Sequence, residues 1–170
     1  LHRGWMVGKN IVRFYVTAHT HSGHTMSYHR ERKEAMRIAY WVGHHPAACL
    51  GGQLKLGYPE SHYEAMGGLL EESLRVVSSE TLGEDFLVPA DAEVIVEGII
   101  KDYTEYPEGP LGEYTGYVGP QIPNPQFEVT AVTHRKDAYW HDILVGRVDN
   151  FVMGGFALEG GVYEAVSRSV

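Results

Sequence analysis

The stretch AEVIVEGII, residues 92–100, is dense in valine and isoleucine and reads as a β-strand. Runs of the same kind lie on both sides of it: NIVRFYVT (10–17), RIAYWVG (37–43), SLRVVSS (73–79), QFEVTAVTHR (126–135) and YWHDILVG (139–146). RIAYWVG is apolar nearly throughout, as a buried strand requires. Strands outnumber helices, and the helices do not alternate with them regularly enough for a doubly wound parallel sheet. The fold class expected is therefore mainly β with peripheral helices (α+β), in the form of a β-barrel.

The helices are fewer and more local. MSYHRERKEAM (26–36) predicts an exposed helix after a polar loop, AHTHSGHT (18–25). In HHPAACLGG (44–52), Pro46 stands where a helix starts. ESHYEAMGGLLEE (60–72) predicts a helix with Ser61 as its cap and Glu64 at capping-box spacing. From Asn150 onward a glycine-rich segment leads into a further helical pattern.

The totals exclude several classes. The 170 residues suit one domain, and 44% apolar content supplies a core. A formal charge of −8, spread over short clusters, argues against a nucleic-acid platform. No apolar run approaches the ~20 residues of a membrane span, and no leader pattern opens the chain. A soluble, cytoplasmic protein is the expectation. The start at Leu1-His2-Arg3, without a methionine, points to a segment of a longer chain. Cys49 is the one cysteine, has no internal disulfide partner and reads as a small buried hydrophobe.

Chemistry has few places to reside. There is no P-loop, no GxGxxG turn and no G-x-S-x-G elbow. In PEGPLGEYTGYVG (107–119), a β-turn over Gly109-Pro110-Leu111-Gly112 would bring Glu108 and Glu113 to one side. Two carboxylates in one dry site cannot both ionise easily, so one becomes a proton donor. Spacing alone favours a solvated glutamate-rich loop. His19, His21 and His24 lie in one loop, with residues 19 and 21 on one side if the segment is extended. One histidine with carboxylates would suit manganese or a similar ion; exposed loop histidines are the plainer alternative. Glu64 is either a hard ligand or part of its capping box. Arg3 is either a two-toothed clamp for a carboxylate or a solvent-exposed arginine.

With those residues in view, the chain resembles the UbiD-type decarboxylases, which use prenylated flavin mononucleotide (prenylated FMN). VPADAEVIVEG (88–98) and EGPLGEYTGY (108–117) carry the similarity most specifically. HRGWMVGKN (2–10), HTHSG (19–23), GHHPAACLGG (43–52) and THR (133–135) extend it over nearly the whole chain. The resemblance implies that residues 1–170 are the family's central prenylated-FMN-binding domain, a split β-barrel resembling flavin reductase and other FMN-binding barrels. The N- and C-terminal domains would lie outside this sequence, the latter making the full-length protein a homo-oligomer. A flavin prenyltransferase would supply the cofactor.

The same resemblance implies the roles. Arg3, Glu108 and Glu113 would surround the carboxylate of an aromatic or α,β-unsaturated acid. Arg3 would orient it, Glu113 would donate the proton that replaces CO2, and Glu108 would tune Arg3. Arg3, His21 and Glu64 would contact the cofactor. His21 (alternate His19) and Glu64 (or its neighbour Tyr63) would hold Mn2+, often with K+ nearby; the family's Asn ligand would precede Leu1. Two other readings stay open on the residues: a flavin- or metal-binding barrel without activity, and a structural or interaction barrel in which Arg3, Glu108 and Glu113 lie apart.

Overall fold

The computed structural model describes residues 2–169. In chain order the elements are β1 (Gly4–Met6), β2 (Ile11–Phe14), α1 (His21–Arg32), β3 (Met36–Val42), α2 (Pro46–Gly51), α3 (His62–Leu70), β4 (Val76–Ser78), β5 (Leu87–Pro89), β6 (Val94–Ile100), β7 (Tyr106–Glu108), β8 (Leu111–Gly112), β9 (Val118–Gly119), β10 (Ile122–Asn124), β11 (Gln126–His134) and α4 (Val148–Ser167). The stretch that opened the analysis supplies β6, and the architecture forms around it.

β6 is flanked by β3 and β11 in a five-stranded antiparallel sheet of order β1-β2-β11-β6-β3. Val12, Phe14, Met36, Ile100 and Phe127 are buried together on one face of it, with Tyr40 packed against them. Gly98 is required there: a Cβ would stand 2.4 Å from the Phe127 ring, which lies across the strand. The expected α+β class, a main antiparallel sheet with peripheral helices, is present. Among the described residues the ladder runs open from β1 to β3 and does not close on itself. Three two-stranded ribbons, β4–β5, β7–β10 and β8–β9, complete the strands.

Local chemistry sets the helix ends. The Thr20 hydroxyl accepts from the Gly23 N–H, so α1 begins at His21, inside the stretch expected as loop. Lys33, left-handed at φ 56°, ends it, and residue 36 already belongs to β3. Pro46 opens α2 with His45 as its cap, and the Ser61 hydroxyl accepts from the Glu64 N–H at the start of α3. Cys49 is buried, as expected of a small hydrophobe.

YWHDILVG is a correction: residues 139–146 form no strand. No strand of the sheet pairs with this segment. The Tyr139 N–H is instead held by the Glu93 carboxylate at 3.1 Å. Its aromatic and aliphatic side chains remain largely exposed, with Tyr139 at 80% and Trp140 at 68%. No described helix is long and apolar enough to cross a membrane.

Candidate active site

Two successive residues aim at two different places. Arg3 immediately precedes β1, whose pairing with β2 sets Gly4 opposite Phe14 and so brings Arg3 beside Tyr15. The guanidinium lies 4.6 Å over the Tyr15 ring. The half-buried Tyr40 hydroxyl donates to the Arg3 carbonyl at 3.3 Å. Burial, and then the charge of Glu108, push the Tyr40 phenol well above its usual range, so it remains a donor.

Glu108 ends β7 with its side chain fully buried. Arg3 meets it fork to fork: Nε donates to Oε1 at 2.8 Å and Nη2 to Oε2 at 3.0 Å. Arg3 Nη1 donates to Glu113 Oε1. The bonds to Glu108 above all, and those to Glu113, raise the guanidinium further above its ordinary range and keep it charged. Glu113 sits in the turn between β8 and β9, pinned by its N–H to the Tyr117 carbonyl at 2.7 Å and by the Gly116 N–H to its own carbonyl at 2.9 Å. Gly119 leaves room for it: a Cβ there would stand 2.9 Å from Glu113 Oε1.

The sequence expectation that these three residues converge is met in space. The two carboxylates differ in access, which divides what they can do. Glu108 is sealed, whereas 40% of the Glu113 side chain is accessible. Of the two carboxylates, Glu113 is the one that solvent reaches. Arg3 spends three of its guanidinium's five N–H donors on the two glutamates. The other two donate to none of the described residues.

His2 points the other way. Its Nδ1 is 3.0 Å from the Tyr15 carbonyl and its Nε2 is 3.0 Å from the Ser22 hydroxyl on α1. His21 and His62, the first residues of α1 and α3, meet with ring centroids 4.8 Å apart. Each donates Nε2 at 3.2 Å to one strap of backbone, His21 to the Leu56 carbonyl and His62 to the Leu54 carbonyl. Burial, then the neighbouring His21 and Lys55, lower the affinity of His62 for a proton. Lys55 is also an electrostatic neighbour of His2. Two helix N-termini and the Lys55 ammonium at this corner attract a phosphate, while the Nε2 donors of His21 and His62 are spent on backbone carbonyls.

The described residues do not by themselves show a manganese site. Residues 62 and 64 lie about 200° apart around a helix, so with His62 turned to His21, Glu64 faces away and is exposed. His19 is exposed in the turn before α1, and Tyr63 donates to the Leu87 carbonyl at 3.4 Å. Among the described residues no three His, Cys, Asp or Glu side chains come together as a metal site. His2, Lys55 and His62 went unmarked in the sequence because no local spacing joins them; the meeting of two capped helices does.

The comparisons with known proteins bear on this geometry. The model of the UbiD family, described as the 3-octaprenyl-4-hydroxybenzoate carboxy-lyase Rift-related domain, matches residues 1–148. The structure of the UbiD-class enzyme HmfF from Pelotomaculum thermopropionicum in complex with FMN superposes with a TM-score of 0.92 at 33% identity, covering 99% of this chain and 37% of that one. An evolved dimeric form of HmfF in complex with prFMN, also at TM-score 0.92 and 33% identity, covers 98% and 38%. The apo 3,4-dihydroxybenzoic acid decarboxylase AroY of Klebsiella pneumoniae shares the fold at TM-score 0.86 and 22% identity, over 100% of this chain and 37% of that one. An uncharacterized protein of Archaeoglobus fulgidus is 36% identical over 112 residues, which is 66% of this chain and 23% of that protein. The chain thus spans well under half the length of these relatives.

Proposed function

The chain belongs to the UbiD family of carboxy-lyases, and on that premise we propose that it is the central cofactor-binding domain of a decarboxylase acting on an aromatic or α,β-unsaturated carboxylic acid. The carrying observation is the clamp of Arg3 between a sealed Glu108 and an accessible Glu113. Nothing in a structural or interaction domain calls for a buried carboxylate, an arginine with spare donors and a second, open carboxylate at one point.

Each residue has a task in this reading. The spare N–H groups of Arg3 bind the substrate carboxylate and set the bond to be broken. Glu108 holds Arg3 charged and fixed. The bond to the carboxyl carbon breaks, CO2 leaves and the electron pair stays on the substrate carbon. Glu113, protonated, delivers a proton to that carbon and is left as its carboxylate, which takes a proton back from solvent, so that the substrate carboxylate and one proton balance CO2 and the product. With the same groups in reverse, Glu113 removes the proton and carboxylation follows.

HmfF binds FMN and prFMN, and we assign prenylated FMN to this domain, its phosphate at the corner of His2, His21, His62 and Lys55. When bound, that cofactor supplies the electron sink for the departing CO2. A flavin prenyltransferase would provide it. Manganese, with potassium, would need oxygen donors that the described residues do not bring to His21, so no step here depends on either ion. The open sheet with its ribbons is, in this reading, the split barrel of the family, completed in a longer, homo-oligomeric protein. The test is CO2 release by the full-length, cofactor-loaded protein, with and without the Glu113 carboxyl.

A further inference from the structure

We propose that Asn124 is a positioning residue that aims Glu108 at Arg3; the inference rests on the decarboxylase reading of the triad. Asn124 ends β10 and is 3% exposed. In the β7–β10 ribbon Glu108 pairs with Ile122 and Tyr106 with Asn124, so Asn124 is the diagonal neighbour of Glu108 on one face. Its Nδ2 donates to Glu108 Oε2 at 3.4 Å.

The other end of the amide decides its direction. Asn124 Oδ1 accepts the Val16 N–H at 3.3 Å, just past the end of β2. With the oxygen committed to a backbone donor, the NH2 group must face the carboxylate. Oε2 therefore has two donors, Arg3 Nη2 and Asn124 Nδ2, while Oε1 is held by Arg3 Nε. A carboxylate fixed at both oxygens cannot swing, and the fork of Arg3 is fixed with it. Arg3 Nη1 is then left at the angle that reaches Glu113. The residue lies between Pro123 and Pro125; only the pairing of β10 with β7 reveals its partner.

Two variants of the full-length, cofactor-loaded protein test this. Asn124→Leu removes both polar ends; Asn124→Asp keeps the shape and replaces the donor by an acceptor, which guards against a fold that does not tolerate leucine. Hydrogen exchange at the Arg3 Nε–H, followed by NMR with 15N-labelled arginine, reads the fork directly. Both variants are expected to speed that exchange roughly tenfold or more and to lower kcat for CO2 release about tenfold, with KM and flavin occupancy unchanged. A merely structural asparagine would lower stability and leave the Arg3 Nε–H and kcat alone, and that result overturns the proposal. Faster exchange in a protein whose wild type releases no CO2 from any acid supports the positioning of Arg3 and removes the decarboxylase reading instead.

Discussion

Arg3 and Glu108 form a two-toothed ion pair, at 2.8 and 3.0 Å, around a carboxylate with no solvent exposure. A buried carboxylate is tolerated only while its partner stays. Arg3→Met leaves that charge uncompensated and is expected to destabilise the protein by about 3–5 kcal/mol. Arg3→Lys keeps the charge and loses the fork, so kcat/KM for decarboxylation should fall by roughly 100-fold with a smaller loss of stability. Thermal unfolding and steady-state kinetics on the two variants separate these effects. Equal activity of Arg3→Lys and wild type would show that the fork is dispensable.

The space beside Glu113 is set by the absence of a single carbon. Gly119→Ala places a Cβ 2.9 Å from Oε1 and 3.2 Å from Cγ of Glu113, so the carboxylate must leave its position against Arg3. Turnover is expected to fall roughly 10- to 100-fold, with cofactor occupancy retained. Unchanged turnover would mean that the contact between Arg3 and Glu113 is not needed for proton delivery.

The strand-rich core is largely legible in the sequence. β3, β6 and β11 are long enough for β-branched content to speak, and each falls where its run predicts. YWHDILVG has similar content and pairs with no strand, so composition alone does not make a strand. The ribbons β7–β10 and β8–β9 are only two or three residues long per strand and rich in proline and glycine, so they carry no period to read. The site divides likewise. Glu108 and Glu113 stand close in sequence, but spacing alone favours a solvated loop and the family resemblance is what points to their meeting; Asn124, Lys55 and His62 gain their places from tertiary contacts.

Glu97 gives a test of the sheet that carries the site. Its carboxylate, 1% exposed in β6, accepts the Glu80 and Thr81 N–H groups at 2.9 and 2.8 Å and the Thr81 hydroxyl at 2.6 Å. Burial pushes this carboxyl up, but those hydrogen bonds outweigh it and leave it below the ordinary range. A carboxyl lowered in the fold contributes stability that is present above its unfolded pKa and lost as pH falls through the folded one. Glu97→Gln should therefore cost about 1–3 kcal/mol at pH 7, and the gap from wild type should shrink as pH drops below about 4. Urea unfolding at several pH values measures it. A gap that stays constant into acid would contradict the ionised, hydrogen-bonded carboxylate.

The phosphate corner makes a prediction that needs no turnover. Lys55→Ala should weaken FMN binding about tenfold, or ~1.4 kcal/mol, and leave riboflavin binding unchanged, because only FMN carries the phosphate. Calorimetric titration of the full-length protein with both ligands checks it. Equal losses for FMN and riboflavin would place the phosphate elsewhere.

The central claim is that Glu113 supplies the proton that takes the place of CO2. Its most direct measurement is CO2 release from a panel of aromatic and α,β-unsaturated acids by the full-length protein loaded with prenylated FMN, wild type beside Glu113→Gln. The account predicts release by the wild type for at least one acid, and loss of turnover in Glu113→Gln with the cofactor still bound. Turnover that survives in Glu113→Gln would contradict it.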